Sequence, residues 1–148
     1  PEHWDRAFRT NIVGLHQGAL RAAKLMAPKG GGKIVTLSSP GAQRYIEHFG
    51  CMGPIKAAVE SLTRYLAIEL APQNIQVNSV SAGPIYGALL DKYPEAERLV
   101  PYWESLSAGQ RLGQAQDVSN FVAYLLSPAS NKISGSVLLV DNAGSQRI

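Results

Sequence analysis

Trp4, Phe8, Ile12, Leu15, Ala19, Ala22 and Met26 recur at steps of three and four residues. That is the spacing of one face of an α-helix, so residues 2–26 are expected to be helical. The cluster Pro28-Lys29-Gly30-Gly31-Gly32 ends the pattern, because neither residue type continues a helix readily. Lys33-Ile34-Val35-Thr36-Leu37 is a short, β-branched run and reads as a buried strand. Residues 38–48 read as loop. A second helix is expected over 52–70, with Ala58, Leu62, Leu66 and Leu70 four apart as its apolar stripe and Pro72 as its stop. Residues 75–80 read as a second strand, with Ile75, Val77 and Ser79 on one face and Gln76, Asn78 and Val80 on the other. Ser81-Ala82-Gly83-Pro84 breaks it. Residues 86–109 are irregular and rich in Tyr, Trp and Leu, and predict one or two short helices on a surface excursion. A third long helix is expected over 116–126 and a last strand over 136–140, followed by Asp141-Asn142-Ala143-Gly144.

Strands separated by long helical crossovers predict a parallel sheet covered by helices, an α/β layer. Open parallel sheets take their ligands beyond the carboxyl ends of the strands. Here those ends are Ser38-Ser39, Ser81-Ala82-Gly83 and Asp141-Asn142. No glycine-rich phosphate loop opens a helix in this chain, so the pattern does not give a complete dinucleotide site. There is no internal repeat, low-complexity tract or linker, and residues 1–148 are expected to form one domain.

Composition narrows the classes further. A length of 148 residues with 45% hydrophobic and 17% charged residues suits one domain with a sizeable core. The formal charge of +3 comes without a dense Lys/Arg run, so no nucleic-acid partner is expected, whereas an anionic small molecule or an acidic carrier protein suits it. The single cysteine, Cys51, rules out an intrachain disulfide framework. No apolar run approaches the roughly 18 residues of a membrane span, and Pro1-Glu2-His3-Trp4-Asp5 lacks the pattern of a signal peptide. A cytoplasmic location without membrane contact is the expectation. The chain has no initiator Met, which predicts a processed or partial polypeptide.

Four segments, together with Lys56, carry a resemblance. The first is Trp4-Asp5-Arg6-Ala7-Phe8-Arg9-Thr10-Asn11-Ile12-Val13-Gly14, and the second is Gly32-Lys33-Ile34-Val35-Thr36-Leu37-Ser38-Ser39. The third is Ile75-Gln76-Val77-Asn78-Ser79-Val80-Ser81-Ala82-Gly83-Pro84-Ile85, and the last is Gly135-Ser136-Val137-Leu138-Leu139-Val140-Asp141. In this order and spacing they resemble the C-terminal half of the short-chain dehydrogenase/reductases. The fold implied is the C-terminal portion of a doubly wound, Rossmann-like parallel sheet with flanking helices. Ser-Ala-Gly-Pro-Ile at 81–85 and the stretch 38–56, including Arg44-Tyr45, are most similar to the NADPH-dependent enoyl-acyl-carrier-protein reductases.

The resemblance implies NADPH or NADH as cofactor and an acyl thioester or other enoyl or carbonyl substrate, with an acyl carrier protein as a possible partner. No metal is expected. It makes Lys56, Ser39 and Asn11 the catalytic set, with Lys56 also holding the nicotinamide ribose, and Ser38, Gly83, Pro84 and Ile85 lining the cofactor. Reduction of such a substrate builds negative charge on oxygen, and a donor at that oxygen lowers the barrier. The family's donor is a tyrosine, whose pKa of about 10 needs a neighbouring cation to act near neutrality. In the Tyr-x-x-x-Lys register the slot holds Met52, and in the longer Tyr-x6-Lys register it holds Phe49, so neither supplies a proton. Gly87 stands where a threonine often meets the cofactor amide, and Asp141-Asn142-Ala143-Gly144 replaces the usual Asp-Gly-Gly.

Plainer readings stand beside these. Lys56 at a helix start also suits solvent, Ser39 a strand-ending turn, and Asn11 packing in mid-helix. Tyr45 is a substitute proton donor or a pocket-lining phenol, and His48 a donor or an exposed loop residue. Residues 86–109 resemble the family's substrate lid, with Leu89, Leu90, Tyr93, Leu99, Tyr102 and Trp103 as an acyl lining or as core, and Lys92 and Arg98 as cations for an acidic carrier or as solvated charge. The two long helices correspond to the family's dimer helices, with Gly14, Gly18, Ala19, Ala57, Ala58 and Ala67 permitting close approach, so a homodimer or homotetramer is expected. Three functions follow: an enoyl-thioester reductase with an atypical donor, a degenerate member that senses cofactor or supports a partner, and a fragment of a longer enzyme.

Overall fold

Strand β2 (Ile75–Ala82) is buried along nearly its whole length, as expected of the central strand of a parallel sheet covered on both faces. In the computed structural model, which describes residues 2–147, it pairs in parallel with β1 (Gly32–Ser38) and β3 (Val137–Val140), in the order β1-β2-β3. Thr36 stands opposite Ser79, and Ser79 opposite Val137. Pairing runs to Ala82, two residues past the expected end, because β3 adds the partners Leu139 and Val140 to Ser81 and Ala82.

Helices α2 (Gly14–Met26) and α3 (Met52–Glu69) cover one face. Ala19 and Ala23 of α2 and Leu66 and Ala67 of α3 meet Leu70, Ile75 and Val77 in the core. The predicted stripe of α3 is displaced. Its buried face carries Ile55, Val59, Glu60, Thr63, Leu66 and Ala67, while Ala58 is only half-buried. Sequence periodicity weighs apolar positions alone, so the polar Glu60 and Thr63 dropped out of the expected face. Helix α5 (Ala115–Leu126) lies on the other face, where Lys33 of β1 reaches Ser130 just beyond it. It starts at a capping box of Gln114 and Asp117, which pairs otherwise orphaned N–H donors.

The first predicted helix is one rod with a change of pitch. A π-helical segment (Arg9–Val13) separates α1 (Glu2–Phe8) from α2, with both flanking residues in right-handed helical geometry. Apolar spacing cannot register one wide turn. Asn11 sits in it, and its side-chain amide donates to the Ala7 carbonyl at 3.0 Å. In an α-helix that carbonyl would take the Asn11 backbone N–H. Single π-turns recur at functional sites. The excursion 86–109 contains one helix, α4 (Ala96–Leu106).

Candidate active site

Three successive turns of α3 are stitched to three successive residues of β1. Lys56 donates from Nζ to the Leu37 carbonyl at 2.9 Å. Glu60 Oε1 accepts from Ser38 Oγ at 2.7 Å. Thr63 Oγ1 lies 2.9 Å from Thr36 Oγ1. Positions 56, 60 and 63 share one helical face by their four- and three-residue steps. Lys56 is half-buried, and that burial holds its pKa below the ordinary lysine value. An ammonium has three donors, and one is given to Leu37.

Beyond Ser38 the chain turns through Pro40–Ala42, and Ser39 caps that turn by accepting from the Gly41 N–H at 3.3 Å. Glycine is required at two places here by close approach. A Cβ on Gly53 would stand 2.8 Å from the Gly41 carbonyl oxygen, and one on Gly41 would stand 2.6 Å from Phe49 Cδ1. The Phe49 ring therefore lies flush against the turn that carries Ser39, and its carbonyl accepts from the Gly53 N–H at 2.7 Å. Met52 is the first residue of α3. Neither slot offers a phenol.

A cavity of about 650 Å³ opens beside this turn, past the carboxyl ends of the strands. Ile46, Leu99, Tyr102, Trp103, Leu106 and Leu112 supply its apolar wall, and Arg44, Tyr45, Pro84 and Asp141 its rim. The expected lid lining holds for Leu99, Tyr102 and Trp103 only. Leu89 is exposed, Leu90 is buried elsewhere, and Tyr93 packs edge-on against Trp103 at 5.3 Å. The excursion is latched to the loop after β1. Tyr93 donates its hydroxyl to the Glu47 carbonyl at 2.6 Å, and Arg98 pairs with Glu47 at 2.7 Å and Glu95 at 2.8 Å. His48 adds a contact to Glu95 at 2.9 Å. Arg98 and His48 hold the Glu95 carboxyl below the usual range, while burial pushes the Tyr93 phenol up. Both His48 and Glu95 have left-handed backbones, with φ of 60° and 54°.

The fold thus brings Tyr45 and Pro84 to the cavity, while Lys56, bonded to the end of β1, and Ser39, which starts the turn, are not among the residues that line it. Ser38 spends its hydroxyl inward on Glu60, and is buried. Gly83 donates to the Val140 carbonyl, and Ile85 bridges to Gly113, so both lie at the strand ends but neither lines the cavity. Asn11 bonds within its own helix, to the Ala7 carbonyl. Arg98, expected as a cation for a carrier, is already neutralised by two carboxylates, and Lys92 stays exposed. Ala19 and Ala67, expected at a dimer interface, are core residues of the protomer. Glu47, His48 and Glu95 come close enough to hold a cation among the described residues, but the Arg98 guanidinium occupies both carboxylates. Glu60 and its second partner, Gln43, whose Nε2 donates to Oε2 at 3.2 Å, had no signal in the sequence: a glutamate within a helical pattern reads as surface.

The family profile described as Enoyl-(Acyl carrier protein) reductase matches residues 1–144. The chain belongs to this family, within the short-chain dehydrogenase/reductases. It is similar to 1-cyclohexenylcarbonyl-CoA reductase of Streptomyces collinus, 37% identical over 95% of this chain and 50% of the relative. It is also similar to the enoyl-acyl-carrier-protein reductase (NADH) of Synechocystis, 35% identical over 95% of this chain and 54% of that one. A short-chain type dehydrogenase/reductase from Mycobacterium ulcerans superposes with a TM-score of 0.91 at 32% identity, over 99% of this chain and 53% of that structure. The chain spans about half the length of the relatives it matches. Membership fits the parallel sheet flanked by helices and the position of Lys56 on α3. Among the described residues no helix is long and apolar enough to cross a membrane.

Proposed function

We propose that the chain serves NAD(P)H-dependent reduction of a 2-enoyl thioester, as the substrate-binding and nicotinamide-facing half of a reductase. The observation that carries the reading is the apolar cavity at the carboxyl ends of parallel strands, reached by the turn Pro40–Ala42 that follows β1, with a half-buried Lys56 bonded to the end of that strand. NADPH and NADH both suit this half. Lys56, Gly83, Pro84 and Ile85 would hold the nicotinamide ribose end, with the Ser38 backbone beside them, while no glycine-rich loop in this chain would cradle the pyrophosphate. The cofactor, when bound, supplies the hydride. Lys56 offers an ammonium where negative charge must be tolerated, and Ser39, which starts the turn after β1, would donate its hydroxyl to the reacting oxygen. Asn11 braces the helix beside α3. Tyr45, 85% exposed at the cavity rim, is the phenol able to swing towards the substrate oxygen in place of the missing tyrosine. Residues 86–109 act as lid, drawn shut by Tyr93 and Arg98. The wall of Leu99, Trp103 and Leu106 takes the acyl chain, and an acyl carrier protein or coenzyme A delivers it. The test is nicotinamide oxidation with a 2-enoyl thioester. Turnover that Lys56→Ala leaves unchanged would refute the assignment.

A second reading keeps the fold without the reaction, as a cofactor sensor or structural partner, and the apolar Phe49 in the tyrosine slot favours it. It predicts no turnover by the wild type and recovery in Phe49→Tyr. The assembly is a homodimer or homotetramer through the exposed Trp4, Phe8, Leu20 and Leu25 and the α3 residues Tyr65 and Ile68. A clean monomer in sedimentation equilibrium at micromolar concentration contradicts it. The protein works in the cytoplasm.

A further inference from the structure

Glu60 is 4% exposed, yet no salt bridge among the described residues reaches it. A buried carboxylate without a cation is costly, and an apolar side chain would serve packing better at that position. What the carboxylate holds accounts for it. One oxygen takes the hydroxyl of Ser38, the last residue of β1, and the other takes the amide of Gln43, just past the turn Pro40–Ala42. The two anchors bracket the whole segment containing Ser39. The neighbouring rungs do less: Lys56 grips the Leu37 carbonyl and Thr63 grips Thr36, both within the strand. Glu60 is the rung of the three that reaches beyond the strand into the site loop.

We propose that Glu60 is a positioning residue, which pins the turn carrying Ser39 to the helical turn after Lys56 and so fixes the separation of those two groups. The proposal rests on the enoyl-reductase reading for its catalytic consequence, but not for its structural one. Glu60 lies one helical turn from Lys56 on the same face. An error there changes how Ser39 and Lys56 meet a substrate without removing either group. The adjoining Gly41, Phe49 and Gly53 contacts leave the turn no slack on its other side. Positioning of this kind separates kcat from KM, because the substrate's acyl wall of Leu99, Tyr102 and Trp103 is untouched.

The experiment compares wild type, Glu60→Gln, Glu60→Ala and Gln43→Ala by amide hydrogen exchange and by steady-state kinetics with a 2-enoyl thioester. Glu60→Gln keeps an acceptor for Ser38, and the Gln43 amide can rotate to present its oxygen to the new NH2 group. Glu60→Ala is expected to speed exchange over residues 39–48 about tenfold or more, with residues 75–82 as protected as in wild type. It is expected to lower kcat by about 10- to 100-fold with the thioester KM within about threefold. Glu60→Gln stays within about threefold of wild type in both, and Gln43→Ala loosens 39–48 to a smaller extent. Unaltered exchange over 39–48 in Glu60→Ala overturns the proposal, as does a Glu60→Gln variant as loose as Glu60→Ala. If Glu60→Ala does not fold, Gln43→Ala decides: unchanged exchange there overturns it. If wild type itself shows no turnover, the exchange arm still judges the proposal, and the functional reading alone fails.

Discussion

Replacing Lys56 with methionine removes an ammonium while keeping an unbranched apolar stem, and the structure predicts opposite consequences for folding and for binding. The fold loses one hydrogen bond from the ammonium to the Leu37 carbonyl, worth up to about 1.5–3 kcal/mol for a charged donor and less at this half-exposed position. Against that, it no longer carries a cation whose desolvation lowers its pKa. Lys56 is only half-buried, so solvent screens much of this relief, and the two effects leave the melting temperature near wild type. The pH dependence is the sharper sign. A lysine whose pKa is lower folded than unfolded means that the unfolded chain binds more protons. Wild-type stability therefore rises as pH climbs between the lowered value and the ordinary 10.5. Lys56→Met abolishes that rise. Binding moves the other way. A charge-assisted hydrogen bond to the cofactor is worth about 1.5–3 kcal/mol, so NADPH or NADH should bind about 10- to 150-fold more weakly. A fluorescence titration of both proteins, paired with thermal melts across the alkaline range, checks both. A folded Lys56→Met protein that binds dinucleotide as tightly as wild type refutes the role given to this residue.

Phe49→Tyr places a phenol against the Ser39 turn and is expected to raise enoyl-thioester turnover by about 100-fold or more, with Met52→Tyr giving less; equal gains from both would contradict the longer register. Gly53→Ala drives a Cβ to 2.8 Å from the Gly41 carbonyl, and should cost about 1–3 kcal/mol in denaturant unfolding, against a null result if the turn can retreat. The Glu95 carboxyl, held down by Arg98 and His48, contributes to lid docking above its unfolded value of about 4.5 and loses that contribution as pH falls through its lower folded value. Amide exchange over residues 86–106 should therefore quicken in that acid window, and quicken at neutral pH in Glu95→Gln.

Regular elements were legible where burial and periodicity coincide. The run Lys33 to Leu37 became β1, but not the buried strand expected: among the described residues it pairs on one side only, and Leu37 is exposed. The alternation of Ile75, Val77 and Ser79 became β2, which is buried on both faces because it is the central parallel strand. The site was legible only as far as the chemistry sat in a resemblance. Lys56 and Ser39 came from that source, and the fold places both at the end of β1. The π-turn at Asn11 was invisible because inserting one residue leaves three- and four-residue spacing nearly intact. Glu60 and Thr63 were invisible because their partners, Ser38 and Thr36, lie more than twenty residues away and no local rule assigns a polar side chain to the core. The lid lining was half right for a related reason. Tyr93 reads as apolar, but its hydroxyl finds the Glu47 carbonyl and turns the ring into a latch rather than a wall.

The central claim is best tested by incubating the protein with NADPH, and separately with NADH, together with a 2-enoyl thioester, and following nicotinamide absorbance with product identified by mass spectrometry. The account predicts loss of the reduced cofactor matched by appearance of the saturated thioester, and a strong loss of rate in Lys56→Ala. Saturable cofactor binding with no saturated product, even at high enzyme concentration, would contradict it and leave the cofactor-sensing reading in its place.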